Sequence, residues 1–477
     1  MKQPIRLTLP FVFIFSLFAG VTASQAAPLS YDSSIQVQNL ESIDASITLT
    51  FYNRDGSVAL TASDVVPGNS QTKYFPLTNI GGDPDNDVPT GFDGSVVIAS
   101  DRKVASITNV HGSDGTSPVA YGASYTGFSS GAATVSVPLL MKDNYGYDTW
   151  FSVQNIGSVE TDVTVTYTDG VVLSALDLQP GAAAKFDQTD ESHVSRWVGA
   201  ATVTSSATDI AITALEVGPN LFAYNGFASG SENPVMPLVQ QNNYGYETSL
   251  QIQNTGDTAT DVTVQYTPGA GEPGTACTEA RHIGAKQSVT YALYAFTNFA
   301  DPNPSSLISE NCAVAQFVGS AKVTVNTPAQ DLVIVVNQLS RTANKGAAYD
   351  AFSATSGADT VVFPLLMDRN YGYWTSFAVV NVGDVAIPRA SLVCTVKGTD
   401  RSGAIVEKTF SPPVDLAPGA GWNQRLLNEM ADRFVGAGTC EGPDNTSSLV
   451  GMVNELNSSG ALDEFLVYEG VSFDRTE

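Results

Sequence analysis

The sequence predicts an all-β protein made of four tandem copies of one β-sandwich domain behind an N-terminal signal peptide. Three observations lead to this fold class. One motif recurs along the chain, its copies alternate apolar and polar residues with the period of two that strands show, and helical periodicity is scarce. The 477 residues are enough for several domains.

The recurring motif is fullest at residues 144–170, NYGYDTWFSVQNIGSVETDVTVTYTDG. Further copies begin at Asn242 and Asn370, and a weaker one opens at Tyr31. Each copy predicts two strands with a turn between them. At that turn an asparagine is followed two residues later by a glycine, which we attribute to a need for positive φ; the asparagines are Asn155, Asn254 and Asn381.

A second landmark combines an apolar residue, a glycine two positions later and an alternating strand. It is assigned at Phe92, Trp197, Phe317 and Leu449. Domains of about 100–125 residues with about seven short strands match an immunoglobulin-like β-sandwich. β-propeller blades, the main alternative, repeat at about 40–50 residues, which is too short. The segments that start at Tyr291 and Asn423 are each expected to carry a short helix.

The expected domain limits follow from short Ser/Gly/Ala linkers near Ser130, Ser231 and Gly357. They give a signal peptide at residues 1–26 and immunoglobulin-like domains at 27–130, 131–231, 232–357 and 358–477.

The first 26 residues have the pattern of a secretory signal peptide. Lys2 and Arg6 precede the apolar run 7–21, and Ser24 to Ala26 form a small-residue cleavage site. A membrane anchor is disfavoured because the apolar run is short for a transmembrane span. We therefore expect export to the cell surface or the extracellular space, with the periplasm as the alternative.

The charge of the chain restricts its partners. The formal charge is −26, and loss of Lys2 and Arg6 with the signal brings it to −28. Such a charge argues against nucleic acid and anionic membranes as partners. Only 15% of residues are charged whereas 43% are hydrophobic, so we expect a globular protein with acidic surfaces. We expect no transmembrane segment after the signal.

The four cysteines predict disulfides, since an exported chain meets oxidising conditions. One bridge per domain, Cys277 with Cys312 and Cys394 with Cys440, is favoured among three connectivities. A metal site built from all four thiolates is the alternative, although the sequence has no C-x2-C pair.

No catalytic constellation emerges. The three histidines, His111, His193 and His282, fall in different expected domains, and each is expected on the surface or in a loop. Ser129 lies in a G-x-S-x-G match, but the match falls in a linker and lacks the strand-to-helix turn of a nucleophile elbow. We predict that the protein is not an enzyme.

Two sets of residues are candidate ligand sites. Asp83, Asp85 and Asp87 have the spacing of the first calcium ligands in an EF-hand loop, but Val88 and Gly94 replace the required glycine and glutamate. A solvated acidic loop is favoured over a looser calcium site, and no other cofactor is expected. The aromatic residues at the strand mouths suit packing at the core edge, with stacking on glycans as the alternative; they are Tyr145, Tyr147, Tyr244, Tyr246, Tyr371, Tyr373 and Trp374.

The V-x-N-x-G turn followed by D-V-T-V-x-Y, at Val153 to Gly157 and Asp162 to Tyr167, resembles the tandem immunoglobulin-like repeats of secreted bacterial surface proteins, including the cell-adhesion-related bacterial domain. The resemblance implies an exported structural or adhesive role without catalytic residues. Carbohydrate binding by the strand-mouth aromatics is the alternative function.

We expect the four sandwiches to form an extended rod. Domains two to four each follow a segment of the type P-L-L or P-L-V that supplies a first strand, which domain one lacks. Domain one should therefore expose a strand edge, and self-association by strand addition is predicted there.

Overall fold

The computed structural model describes residues 29–115, 121–292, 316–340, 343–457 and 464–475. Within these ranges the chain forms 33 strands in antiparallel sheets and a single short 3-10 turn, Ile80–Gly82. The prediction of an all-β protein is confirmed. In the same ranges, no helix combines the length and the hydropathy needed to cross a bilayer.

The strands fall into four consecutive groups along the chain. Group 1 contains β1 Ser30–Asn39, β2 Ala45–Asn53, β3 Val58–Val66, β4 Gln71–Tyr74, β5 Gly94–Ser100, β6 Val104–Ser113 and β7 Tyr121–Thr126. Group 2 contains β8 Thr134–Lys142, β9 Asp148–Asn155, β10 Thr161–Tyr167, β11 Val172–Leu178, β12 Ala183–Asp187, β13 Trp197–Ser205, β14 Ile210–Val217 and β15 Leu221–Asn225.

Groups 3 and 4 each have nine strands among the described residues. Group 3 contains β16 Pro234–Gln241, β17 Tyr246–Asn254, β18 Thr260–Pro268, β19 Cys277–Ile283, β20 Ser288–Ala292, β21 Phe317–Val325, β22 Leu332–Ser340, β23 Lys345–Asp350 and β24 Phe352–Ser353. Group 4 contains β25 Thr360–Asp368, β26 Tyr373–Asn381, β27 Val393–Thr399, β28 Ile405–Phe410, β29 Gly421–Arg425, β30 Phe434–Glu441, β31 Leu449–Asn457, β32 Phe465–Glu469 and β33 Val471–Phe473.

Each group forms two sheets. We call the sheet that contains the last long strand of its group the inner sheet; the inner sheets have the orders β4-β1-β6-β7, β12-β9-β14-β15, β20-β17-β22-β23 and β29-β26-β31-β32. The other sheet is the outer sheet; the outer sheets have the orders β3-β2-β5, β11-β10-β13-β8, β19-β18-β21-β16-β24 and β28-β27-β30-β25-β33.

The period-2 pattern places the core between the two sheets of a group. Phe151 and Val153 of the inner strand β9 are fully buried, and so are Val163 and Val165 of the outer strand β10, all in one cluster. The residues between them are more exposed, because successive side chains of a strand point to opposite faces.

The recurring asparagine joins the two sheets of each group. Asn155 is fully buried, and its Nδ2 donates to the carbonyl oxygens of Val159 and of Leu178 in the outer strand β11, both at 2.8 Å. Asn39, Asn254 and Asn381 are equally buried and make the same kind of contacts. The asparagine therefore recurs in all four groups because buried carbonyl oxygens at this turn need a hydrogen-bond donor.

Our explanation of the following glycine was wrong. Gly157 does not have a positive φ; a Cβ at this position would lie 1.6 Å from Oγ1 of Thr208. Close packing therefore requires a glycine at position 157, whereas a Cβ at Gly383 would lie 3.2 Å from its nearest neighbour, Cβ of Ser448. Positive φ occurs instead in the N-Y-G-Y segment, where Tyr145 and Gly146 have φ values of 53° and 85° and form a tight turn from β8 to β9.

The fourth copy of the second landmark was also misassigned. Leu449 begins β31 in the inner sheet, whereas Trp197 and Phe317 begin the outer strands β13 and β21. The equivalent outer strand, β30, begins at Phe434. Its glycine, Gly436, leaves no room for a Cβ, which would lie 2.2 Å from the carbonyl oxygen of Lys397.

The helix expected from Asn423 is absent. β29 ends at Arg425, and turns lead from there to β30. Leu426 is fully buried, and its backbone N–H donates a hydrogen bond to the carbonyl oxygen of Thr375, which holds this segment on the inner sheet instead. Most of the other expected helix, from Tyr291, lies outside the described residues.

The four groups close into a ring, so the expected extended rod is wrong. The last inner strands of the groups contact one another in the cyclic order β7, β15, β23, β32 and back to β7. Apolar clusters cross every junction: Val110 and Leu221 pack between groups 1 and 2, and Ile107 of group 1 packs in the core of group 4. Burial of these apolar faces favours the closed arrangement over a linear one.

Candidate functional site

The polar residues that end the four last inner strands meet where these strands converge. Asn225 donates its amide Nδ2 to the carbonyl of Thr126 at 2.7 Å and its backbone N–H to Asp350 at 3.0 Å. The backbone N–H of Asp350 donates to Glu469 at 2.6 Å, and the Thr126 hydroxyl donates to Glu469 at 2.9 Å. These bonds close a cycle that fastens all four groups together.

The two carboxyl groups of this cycle lie in a poorly hydrated environment. Burial and the charge of Glu469 raise the pKa of Asp350, and burial raises the pKa of Glu469. Repulsion between like charges thus adds to burial in disfavouring the ionised form of Asp350.

The junctions of the ring alternate between two types. Ser95 of group 1 donates to the carbonyl of Gly181 in group 2 at 3.3 Å, and Ser320 of group 3 donates to the carbonyl of Gly419 in group 4 at 2.6 Å. The ring therefore has an approximate twofold symmetry that relates group 1 to group 3 and group 2 to group 4.

The other two junctions are each held by a buried glutamate and an asparagine. Asn337 of group 3 donates to Glu216 of group 2 at 2.8 Å, and Asn109 of group 1 donates to Glu455 of group 4 at 3.3 Å. Both glutamates are 1% exposed, and burial raises the pKa of each to about 8. Both are therefore protonated over most of the neutral range.

A cavity of about 190 Å³ lies at the junction of groups 4 and 1. One wall comes from β1, β4 and β6 of group 1, the other from β25, β31 and the N-Y-G-Y turn of group 4. The polar lining includes Gln36, His111 and Glu455, and the aromatic lining is Phe75, Tyr371 and Tyr373. Sequence reasoning proposed only the two tyrosines of this set.

The residues that line the cavity carry one net positive charge. Burial and the nearby Lys73 ammonium lower the pKa of His111, so its imidazole is uncharged at neutral pH. Lys73 lies 5.4 Å from the ring centre of Phe75, and Phe75 in turn lies 5.7 Å from the imidazole of His111. With Glu455 protonated, Lys73 contributes the one full positive charge among the residues that line this cavity.

The strand-mouth aromatics have different surroundings. Tyr145, Tyr244 and Tyr371 are exposed, whereas Tyr147, Tyr246, Tyr373 and Trp374 are half-buried. Guanidinium groups lie over the rings of Tyr145, Tyr371 and Trp374 at 4.3, 4.4 and 4.5 Å; they belong to Arg196, Arg433 and Arg425. One face of each of these rings is thus covered.

The histidines do not converge. His282 is exposed, as expected, with Nδ1 at 2.8 Å from Asp261. His193 is buried, contrary to expectation: its ring nitrogens lie 2.6 Å from Asp169 and 3.1 Å from Gln188, and the ring stacks on Trp197. These partners satisfy both nitrogens of His193 within group 2.

The acidic loop is exposed and bonded to its own backbone. The carboxylate of Asp83 accepts from the N–H of Asp85 at 3.0 Å, and that of Asp87 accepts from the N–H of Asn79 at 2.8 Å. Across the described ranges, no group of three or more His, Cys, Asp or Glu side chains is arranged to hold a metal ion.

One expected disulfide is present. Cys394 of β27 and Cys440 of β30 lie opposite each other in adjacent strands and are bonded. The other expected bridge involves Cys312, which lies outside the described residues.

Comparison with known proteins identifies no relative. Neither a protein-family model, nor a curated protein, nor a solved structure matches this chain.

Proposed function

We propose that this chain is an exported, non-catalytic structural or adhesive protein of the cell surface or extracellular space, which associates with itself by strand addition. In this proposal the four strand groups are immunoglobulin-like sandwich domains behind a cleaved signal peptide. The signal-like N-terminus, the acidic composition and the disulfide between Cys394 and Cys440 support export.

The observation that carries the proposal is the edge of the outer sheet in group 1. β13, β21 and β30 each pair with two neighbours, the second being β8, β16 or β25. β5 occupies the same place in group 1 but, among the described residues, pairs with β2 alone. Its other edge is where a further strand would bind.

β5 lacks the features by which proteins protect an edge. Its sequence, GSVVIAS, has no charge and no proline, and Val97 at its centre is 41% exposed. The edge strands at the other side of the outer sheets, β3, β11, β19 and β28, each contain charged residues. Charges and proline discourage pairing between molecules, so their absence from β5 favours it.

The proposed occupant is β5 of a second copy. An antiparallel pair centred on Val97 is self-complementary, which suits a twofold dimer, and it would join two three-stranded sheets into one of six strands. Asp93 of one copy would then face Asp101 of the other. Arg54 lies 2.6 Å from Asp93 and reduces that repulsion.

Analytical ultracentrifugation of the mature chain over a range of concentrations tests the proposal. We expect a reversible dimer that salt strengthens, because the copies are strongly acidic. Val97→Lys should keep the protein monomeric. Val65→Lys is the matched control: Val65 is 52% exposed and lies on β3, at the opposite edge of the same sheet. A wild-type protein that stays monomeric, or a Val97→Lys variant that dimerises equally well, refutes strand addition at β5.

Glycan stacking on the open aromatic rings is a weaker candidate. The rings of Tyr145 and Tyr371 are exposed, and an arginine covers one face of each. Tyr244 is 90% exposed and stands apart from the cavity.

A further inference from the structure

The twofold symmetry of the ring makes the junction of groups 2 and 3 an internal reference for the cavity between groups 4 and 1. The strand registers define the equivalences. In group 1, β1 pairs Gln36 with Lys73 and Asp32 with His111. In group 3, β17 pairs Gln251 with Thr290 and Glu247 with Leu339. Lys73 therefore corresponds to Thr290, and His111 to Leu339.

The reference junction is closed by the protein itself. Gln251 donates through Nε2 to the hydroxyl of Ser288 at 2.9 Å, and the hydroxyl of Thr290 donates to its Oε1. Leu339 packs against the apolar cluster of group 2 together with Val335. The side-chain amide of Gln251 is therefore paired and Leu339 is packed at this junction, whereas Oε1 of Glu216 and Oδ1 of Asn337 have no hydrogen-bond partner among the described residues.

The same positions at the junction of groups 4 and 1 are not satisfied. Gln36 is buried, with 2% of its surface exposed, yet neither its Nε2 nor its Oε1 has a hydrogen-bond partner among the described residues. Nδ1 of His111 also lacks a partner in this part of the chain. Oε1 of Glu455 lacks one too, as does Oε1 of its counterpart Glu216, so Gln36 and His111 are the residues that distinguish this junction from the reference. All three residues line the cavity, so four unpaired polar atoms surround one space. Buried polar atoms without partners are costly, and a ligand that pairs with them would recover that cost.

The chemistry of these atoms selects the ligand. Gln36 offers a donor and an acceptor, a protonated Glu455 offers a donor, neutral His111 offers either, and the Lys73 ammonium at the lining offers donors only. Hydroxyl groups both donate and accept, so a ligand rich in hydroxyls matches this mixture. Ile107, Leu365 and the ring of Tyr373 form an apolar wall that suits the C–H face of a sugar ring.

The size of the cavity limits the ligand to one ring. Its volume of about 190 Å³ is below the range of roughly 300–1,000 Å³ that is usual for drug-sized ligands. We propose that the cavity between groups 4 and 1 binds a neutral, monosaccharide-sized polyol, held by Gln36, His111 and Glu455. This site does not depend on the proposed dimer.

Saturation-transfer-difference NMR and isothermal titration calorimetry with D-glucose, D-galactose, D-mannose and N-acetyl-D-glucosamine test the proposal on the mature chain. We expect at least one of them to bind with one site per chain. Gln36→Ala should weaken binding about tenfold, the effect of losing buried hydrogen bonds to a ligand. Gln251→Ala, the twin position, should leave affinity unchanged.

His111→Leu provides a second variant. We expect it to fold, because the equivalent position in group 3 is already a leucine, Leu339. It should also weaken sugar binding, with a thermal unfolding midpoint at or above that of the wild type. Three results overturn the proposal: no binding by any of the four sugars, equal affinity in Gln36→Ala, or binding of D-glucuronate without binding of a neutral sugar.

Discussion

Closure of the ring should weaken as the pH rises, and Glu455 allows this to be tested at one junction. Its carboxyl group is 1% exposed and accepts one hydrogen bond, from Asn109. Burial raises its pKa to about 8 from an ordinary 4.5. The folded state thus holds this proton more tightly than the unfolded state. Its contribution to stability is complete below the ordinary pKa and is lost as the pH rises toward about 8.

The magnitude follows from the interval between these two pKa values. At about 1.36 kcal/mol per pH unit, full deprotonation of Glu455 costs roughly 5 kcal/mol of stability, as an upper value. Glu455→Gln keeps the shape and the acceptor for Asn109 but cannot ionise. At about pH 5 the two proteins should therefore be similarly stable. By about pH 8 the variant should be more stable by roughly 2–5 kcal/mol.

Thermal unfolding of both proteins at several pH values between about 5 and 8.5 measures the difference. His111 contributes with the opposite sign, because burial lowers its pKa and disfavours its charged form. It is present in both proteins, so its effect cancels in the comparison. Glu232→Gln, which changes an exposed carboxylate, is the control. Parallel midpoints of wild type and Glu455→Gln across the whole range refute the argument.

Three further predictions concern the packing. Asn254→Ala should lower the free energy of unfolding by about 1–3 kcal/mol, because it removes the donor from the buried carbonyl of Ile283 and from the part-buried carbonyls of Thr258 and Gly284. Urea unfolding followed by circular dichroism checks this, and a change within error contradicts it. Replacing both Cys394 and Cys440 by alanine should cost about 4 kcal/mol for a sequence separation of 46 residues. The thermal midpoint of the variant should be lower than that of the wild type under oxidising conditions and equal to it when both proteins are reduced. Gly346→Ala should open the junction of groups 2 and 3, because its Cβ would lie 2.4 Å from Cζ of Phe222. Limited proteolysis should then cleave the chain faster between these groups. An unchanged cleavage rate would contradict the close contact.

The strands were predictable because their signal is local. Phe151, Val153, Val163 and Val165 alternate with polar residues, and the structure buries all four. Asn155 was recognised as a landmark, but its role was not, since the carbonyl of Leu178 that it binds is 23 residues away. The spacing of the landmarks could also have identified Phe434 as the fourth copy of the second landmark, because Asn381 to Phe434 spans the same 53 residues as Asn39 to Phe92.

The ring was not predictable from local patterns. Ile107 and Val110 look like ordinary residues of a half-buried strand, and nothing in their sequence shows that each packs against a different neighbouring group. The cavity residues Gln36 and His111 were missed for a related reason. A glutamine on a strand predicts a solvated face, and its burial arises only when group 4 closes on group 1.

Ring closure and self-association use different surfaces. The strands that close the ring belong to the inner sheets, whereas β5 belongs to an outer sheet. β5 touches group 2 only near its start, where Ser95 contacts Gly181, and Val97 remains exposed. A dimer formed through β5 would therefore leave the cavity between groups 4 and 1 in place. It follows that Val97→Lys should abolish association without changing sugar affinity. Gln36→Ala should weaken sugar binding without changing association. Loss of both properties in either variant would show that the two surfaces are coupled through the fold of group 1.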